Sequence, residues 1–342
     1  MSSILNINRF IIPNDVIVTI AKLNRWIGQN QKFLDIVKTD VERIVEQTIE
    51  RDSYFLSKIL SLDISDARTR LIITKNSAPR TKDETTLFNV KEMLTLFQQK
   101  HATLNYQSND LLNLVNSLFP HYPTVKFDYS STDKKALLQS QAIRSKRIIL
   151  DEVVAHMDVL IQKEAFEKIT LFLHFFVDFY NIAPFVSNNE ITALFLLYLL
   201  ILKADLHCFR YISFFELLYE NFEEYQIELN NASFNWKEGF SQTQGFVRFM
   251  NNLFLKGYEK TYHIIKEYKF DANLNKGDNI ENTISKFNDV FTKEDIRLIH
   301  PYVSESTINR ALIKLRDKGL IKPTGKGRSA KWMRIYKGFN HE

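Results

Sequence analysis

Residues 176–193 read FVDFYNIAPFVSNNEITA. The runs on either side are apolar on nearly every face. Ile169, Leu171, Phe172, Leu173, Phe175, Phe176, Val177 and Phe179 precede it, and Ile191–Leu202 follows, interrupted only by Thr192. Helices that are hydrophobic all round occupy the centre of a bundle, so the intervening stretch reads as a loop joining two central helices. A loop that opens onto a helix N-terminus is a place where backbone N–H groups can hold phosphate. Yet the eighteen residues contain no Gly, Lys, Arg or His. The loop has the position of a phosphate cradle without its residues.

Outward from this point the pattern stays helical. Before it, apolar positions recur at three and four from 13 to 50 (Val16, Ile20, Leu23, Ile27, then Ile36, Val37, Val41, Ile44), and Ser53–Ser61 continues them. A polar cluster, Ser77–Asp83, breaks the pattern and ends in Asp83, a capping candidate. Helices are expected at about 84–99 and 109–118, the second ended by Phe119-Pro120-His121-Tyr122-Pro123. A small extended piece is expected within 124–132, and a helical pattern from Lys134 to Tyr180. Beyond the central pair, helices are expected at 213–229 and 243–268. The Asn-rich stretch DANLNKGDNIENT, 271–283, reads as a linker.

Composition agrees with long helices and little sheet. The 342 residues, enough for two or three domains, include only 9 Gly and 7 Pro. The expected class is all-α, with an N-terminal helical region over 1–100, a helical core over 101–270, the linker, and a small domain over 284–342. The single Cys208 excludes an intrachain disulfide framework and reads as an inert core thiol in a reducing compartment. The opening Met1–Leu5 has neither a basic nor a long apolar region, and the longest apolar stretch, Ile191–Leu202, is too short to span a bilayer. These features predict a cytoplasmic chain with no membrane partner.

Charge is segregated. Residues 304–337 carry ten basic side chains against two acidic ones, a net +8, while the whole chain carries +5, so the rest of the chain is at −3. A basic tail on a mildly acidic body points to a polyanionic partner for the tail. The tail also has a legible plan. Thr292 is an N-cap candidate with Glu294 and Asp295 in the first turn, Pro301 ends that helix, and Ser304 caps the next. The second helix has an apolar face of Ile308, Ala311, Leu312 and Leu315, and Gly319 is placed to terminate it. Two short strands follow, Leu320–Lys322 and Lys331–Tyr336, around a basic Gly-containing turn, with Trp332 and Tyr336 expected in their core.

Helix, turn, capped basic helix and two-stranded wing resemble the winged helix-turn-helix family over about fifty residues. The resemblance implies that the second helix enters the major groove. It would present Glu305, Ser306, Thr307, Asn309, Arg310 and Lys314. Lys326 and Arg328, at the wing tip, would meet phosphate or the minor groove. The other reading is a winged helix that serves as a protein-protein module, its basic residues a solvated face.

Phe179–Ile191 resembles the signature loop of Fic-domain proteins, F-x-x-I-H-P-F-x-[DE]-G-N-G-R. In that family the loop transfers AMP from ATP to protein hydroxyls. The His is the general base, the acid holds Mg²⁺, the Gly-Asn-Gly backbone wraps the phosphates and the Arg neutralises them. Phe179, Ile182, Pro184, Phe185 and Asn189 match the pattern. Ala183 stands at the base, Ser187 at the metal-binding acid, Asn188 and Glu190 at the two glycines, and Ile191 at the arginine. Ala183 cannot accept a proton, and a general base is typically worth about 10²–10⁴-fold. Ser187 is a poor sole ligand for Mg²⁺. Glu190 brings negative charge to a polyphosphate position, and Ile191 lacks the guanidinium fork. The resemblance extends to Tyr54–Ser61, where Leu56, Leu60 and Ser61 replace the Ser, Glu and Gly of the family's inhibitory helix S-x-x-x-E-[GN]. Loss of Fic-type AMP transfer is therefore expected, with no catalytic residue, cofactor or metal.

Elsewhere, His156, His174, His207, His263 and His300 lack metal-ligand spacing, and there is no Walker-A, G-x-S-x-G or G-x-G-x-x-G pattern. His174 reads as a core histidine, and Glu220, Glu223 and Glu224 as a solvated helix face. Three readings remain. The first is a DNA-binding regulator whose inactive Fic-like body is a platform for a homodimer or a protein partner. The second is an adenylyltransferase with a divergent site, and the third is a scaffold whose basic tail binds protein.

Overall fold

The computed structural model describes residues 2–119, 123–129, 145–272, 276–287, 290–301, 303–325 and 331–335. Helices dominate: α1 Asn14–Ile27, α2 Asn30–Val37, α3 Val41–Ile59, α4 Asp66–Lys75, α5 Lys82–Lys100, α6 Ser108–Leu118, α7 Lys146–Gln162, α8 Lys168–Ile182, α9 Asn189–Lys203, α10 Phe214–Glu220, α11 Phe222–Ser233, α12 Gln244–Ala272, α13 Lys276–Lys286, α14 Lys293–Ile299 and α15 Glu305–Asp317. The described strands are β1 Val290–Phe291, β2 Ile321–Pro323 and β3 Trp332–Arg334. The class is all-α, as the scarcity of glycine and proline requires.

Contacts divide the chain into two compact units, one of residues 1–28 with 48–258, the other of residues 29–47 with 259–342. In the first unit α8 and α9 lie at the centre. Every residue of Ile169–Phe179 and of Ile191–Leu202 is buried, which is the all-round burial their composition dictates. Helix α8 packs on α7 and α9, and α9 also meets α5 and α6. Glu167 starts α8 by accepting the backbone N–H of Ile169 and Thr170 at 2.9 and 2.7 Å.

Two buried carboxylates tie distant segments to this centre. Asp178 on α8 accepts Ser2 Oγ at 2.6 Å, the Ser3 N–H at 2.5 Å, the Ile4 N–H at 2.9 Å and Trp236 Nε1 at 2.6 Å. One turn earlier His174, buried as expected, meets Ser3 Oγ through Nδ1 at 2.5 Å and Thr243 Oγ1 through Nε2 at 3.4 Å. Asp52 on α3 accepts Ser213 Oγ, the Phe215 N–H and Tyr198 OH at 2.6, 2.9 and 2.9 Å. Burial raises the Asp52 carboxyl to about 7 against these three hydrogen bonds. Cys208 is fully buried, and burial pushes its thiol well up.

In the second unit α13 packs against α14 and α15. The strands form one antiparallel sheet in the order β1-β3-β2, with Ile321 opposite Arg334 and Phe291 opposite Trp332. The two strands after α15 overlap the stretches where the sequence places them, and Trp332 is buried, while Tyr336 lies outside the described residues.

Several boundaries differ from expectation. The expected helical run 134–180 is interrupted after Gln162, where Glu164 takes a left-handed φ of 49° and Glu167 caps a fresh helix; 134–144 lie outside the described residues. The expected helix 213–229 is two helices, broken at Asn221. Thr81, and not Asp83, caps α5, accepting the Glu84 N–H at 3.2 Å, while Asp83 lies in the first turn and accepts the Asp63 N–H at 2.9 Å. Helix α4 and strand β1 lie outside every element expected from the sequence. Within the expected linker 271–283, residues from Lys276 onward are helical, as α13.

Candidate functional site

The loop from Ala183 to Asn188 is held by four separate devices. Ala183 terminates α8 in the left-handed conformation, φ 43°, with its N–H on Phe179 O at 3.0 Å. Residues 126–128, inside the expected extended piece, pair with it: Asp128 N–H donates to Pro184 O at 2.8 Å, and Val186 N–H to Lys126 O at 3.0 Å. Lys146 bridges Asp128 at 2.6 Å and donates to Ala183 O at 3.2 Å. Asn189 closes the turn, accepting the Phe185 N–H at 2.9 Å and donating to Phe185 O at 2.7 Å.

The matched frame residues are structural. Phe179, Ile182, Pro184 and Phe185 are buried, and the Phe185 ring sits 6.2 Å from Phe179 and 5.5 Å from Phe127. The chemical positions hold a methyl group, a hydroxyl, an amide, a carboxylate and an aliphatic side chain in place of the family's base, acid, glycines and arginine. Ala183 is half-buried, Ser187 exposed, and Asn188 starts α9 at φ 61° without a side-chain cap. Ile191 is buried, so the position of the family's arginine belongs to the core. Glu190 is exposed in the first turn of α9, where the helix dipole favours its charge. Its field helps raise the phenols of Tyr180 and Tyr225, a smaller cause than their burial. The helix N-terminus that could attract a phosphate thus carries its own anion. Leu56 is buried and Leu60 half-buried at the end of α3, and Ser61 follows at φ 51°.

In the second unit, local signals position the tail helices. Thr292 and Asp295 form a reciprocal capping box at α14. Ser304 accepts the Thr307 N–H at 3.3 Å to start α15, and Gly319 ends it at φ 69°. Ile308, Ala311, Leu312 and Leu315 are all buried. The candidate residues lie on the remaining surface: Glu305, Ser306, Arg310 and Lys314 exposed, Thr307 and Asn309 half-buried. Lys326 and Arg328 lie outside the described residues.

Sequence reasoning missed the partner of Lys314. Glu281 on α13 forms ion pairs with Lys314 and, at 3.2 Å, with Lys318. Both lysines hold its carboxyl below the usual range. Glu281 lies in the Asn-rich stretch whose composition reads as a linker, which hides the pairing.

No cluster of three or more His, Cys, Asp or Glu that could hold a metal occurs among the described residues. No described helix is long and apolar enough to cross a membrane.

No family model matches the chain, and no curated protein matches it in sequence. Solved structures do match in fold. A Fic family protein from Desulfovibrio desulfuricans G20 aligns with a TM-score of 0.53 at 12% identity, covering 96% of this chain and 98% of its own. A Fic domain containing signaling protein from Bacteroides thetaiotaomicron VPI-5482 aligns with a TM-score of 0.53 at 11% identity, covering 71% and 97%. At such identity the likeness speaks for architecture alone, and the chain has a Fic-like helical fold.

Proposed function

We propose that this chain is a DNA-binding regulatory protein, acting in transcription, whose Fic-like body has no AMP-transfer activity. The observation that carries the reading is the net +8 of residues 304–337 on a chain otherwise at −3. Among the described residues that charge lies on α15, the turn after it and the antiparallel strands β2 and β3. The plan is that of a winged helix, in which α15 would enter the major groove and Lys326 and Arg328 would meet the backbone or minor groove. Phosphate contacts supply most of the sequence-independent affinity of such modules.

The loop supports the second half of the proposal. Its frame survives through Asn189 and the buried Phe185, while base, acid, glycines and arginine are replaced. A fold outlasting its activity and serving as a platform is a common reuse. The body would then serve self-association as a homodimer, or hold a protein partner. A dimer expects two half-sites about one helical turn apart.

Calorimetry with ATP and Mg²⁺ tests the inactive site, and retention of labelled duplex by the full chain tests DNA binding. The reading expects no micromolar nucleotide binding and salt-sensitive duplex binding. Micromolar ATP binding with transfer of labelled AMP to a protein would overturn it in favour of a divergent adenylyltransferase.

A further inference from the structure

Helix α15 pairs away most of its own charge. Lys314 and Lys318 are tied to Glu281 on one flank. Arg316 forks onto Asp317 at 3.0 and 2.8 Å, and Glu305 lies 3.8 Å from Arg297. Arg310 is exposed and makes no ion pair among the described residues. With successive residues about 100° apart around the helix, the side opposite the buried stripe holds Ser306, Arg310, Ile313 and Asp317, flanked by Asn309 on one edge and Lys314 on the other. Ile313 stands in the middle of that polar strip at 46% exposure.

A lone exposed isoleucine is ordinary on a protein surface. This one differs in its neighbours. Asn309 precedes it by four residues and Arg310 by three, which puts all three on one side of the helix. The major groove offers a partner for each: adenine N6/N7 for an amide, guanine O6/N7 for a guanidinium, and the thymine methyl for an apolar side chain.

We infer that Ile313 packs against a thymine methyl group in the major groove while Asn309 and Arg310 read adjacent purines. This rests on the DNA-binding reading above. Four helical residues rise roughly 6 Å, about two base steps, so the thymine lies within about two base pairs of the purines. The strip is then a reader of base edges, and phosphate contact falls to the remaining basic residues of the tail.

The test begins by selecting duplexes from a randomised pool with the full chain. Each enriched thymine is then replaced by deoxyuridine, which removes only the C5-methyl group. The expected result is one thymine whose replacement weakens binding about four-fold, the worth of one buried methyl. In Ile313→Ala the thymine duplex binds more weakly, and the same replacement has no further effect. Melting confirms that this exposed substitution leaves the chain folded. Equal binding of thymine and uracil duplexes at every enriched position would overturn the inference, as would an undiminished penalty in Ile313→Ala. Salt-sensitive binding without any enriched sequence overturns base reading but leaves DNA binding intact. Absence of duplex binding at any salt removes the DNA-binding reading itself.

Discussion

Asn189 shows how a loop can keep its shape after its chemistry is gone. Its amide bonds both backbone groups of Phe185 and fixes the turn between two buried helices. Asn189→Ala leaves those groups without that partner in a half-buried site, and a loss of about 1–2 kcal/mol in urea unfolding is expected. Asn189→Asp keeps the acceptor but sets a carboxylate against Phe185 O, so it should not restore stability. His174 makes a second residue-scale prediction. Burial depresses its ring to about 3 from 6.5, so the unfolded chain binds the extra proton first. Its contribution is fully present above about pH 6.5 and is lost as pH falls toward 3. Wild type should therefore lose stability relative to His174→Gln between about pH 6.5 and 4, by pH-dependent melts of both proteins. A constant difference would mean that the folded ring takes up its proton as readily as the unfolded one. The frame residues were legible in the sequence because Phe179, Ile182, Pro184, Phe185 and Asn189 match the signature loop that the chain resembles. The bonds of Asn189 and the Asp178 cluster were not, because hydrogen bonds leave no mark in hydrophobic periodicity.

At the scale of elements, what was legible is local. Thr292, Ser304 and Gly319 announce their helix ends because capping is a matter of a few neighbouring residues. Breaks that depend on a backbone turn at a non-glycine residue, such as Glu164, were not legible. Helix α13 was missed for a different reason. Its residues are poor helix formers, and its packing against α15 supplies what propensity does not. That packing has an electrostatic consequence, because Glu281 holds two lysines of the tail. Glu281→Gln releases both. Duplex affinity should then rise, and the slope of log K against log salt should steepen by up to about 2, near 0.9 for each new phosphate contact. An unchanged slope would place Lys314 and Lys318 away from the DNA.

For the whole molecule, the association of residues 29–47 with 259–342 is the least legible feature. It joins segments about two hundred residues apart, which no local signal in the sequence records. Charge is the property that does survive from sequence to molecule: the basic excess of 304–337 stands out in the bare chain and belongs to one unit. The body keeps a Fic-like fold, and the tail carries the groups suited to a polyanion. The most direct measurement is a salt titration of duplex DNA binding by the full chain, wild type beside Arg310→Glu. The account predicts log K falling linearly with log salt at a slope of about −3 or steeper, as three or more phosphate contacts require, with binding by Arg310→Glu weakened at least ten-fold. Binding that is absent at low salt, insensitive to salt, or equal in Arg310→Glu would contradict it.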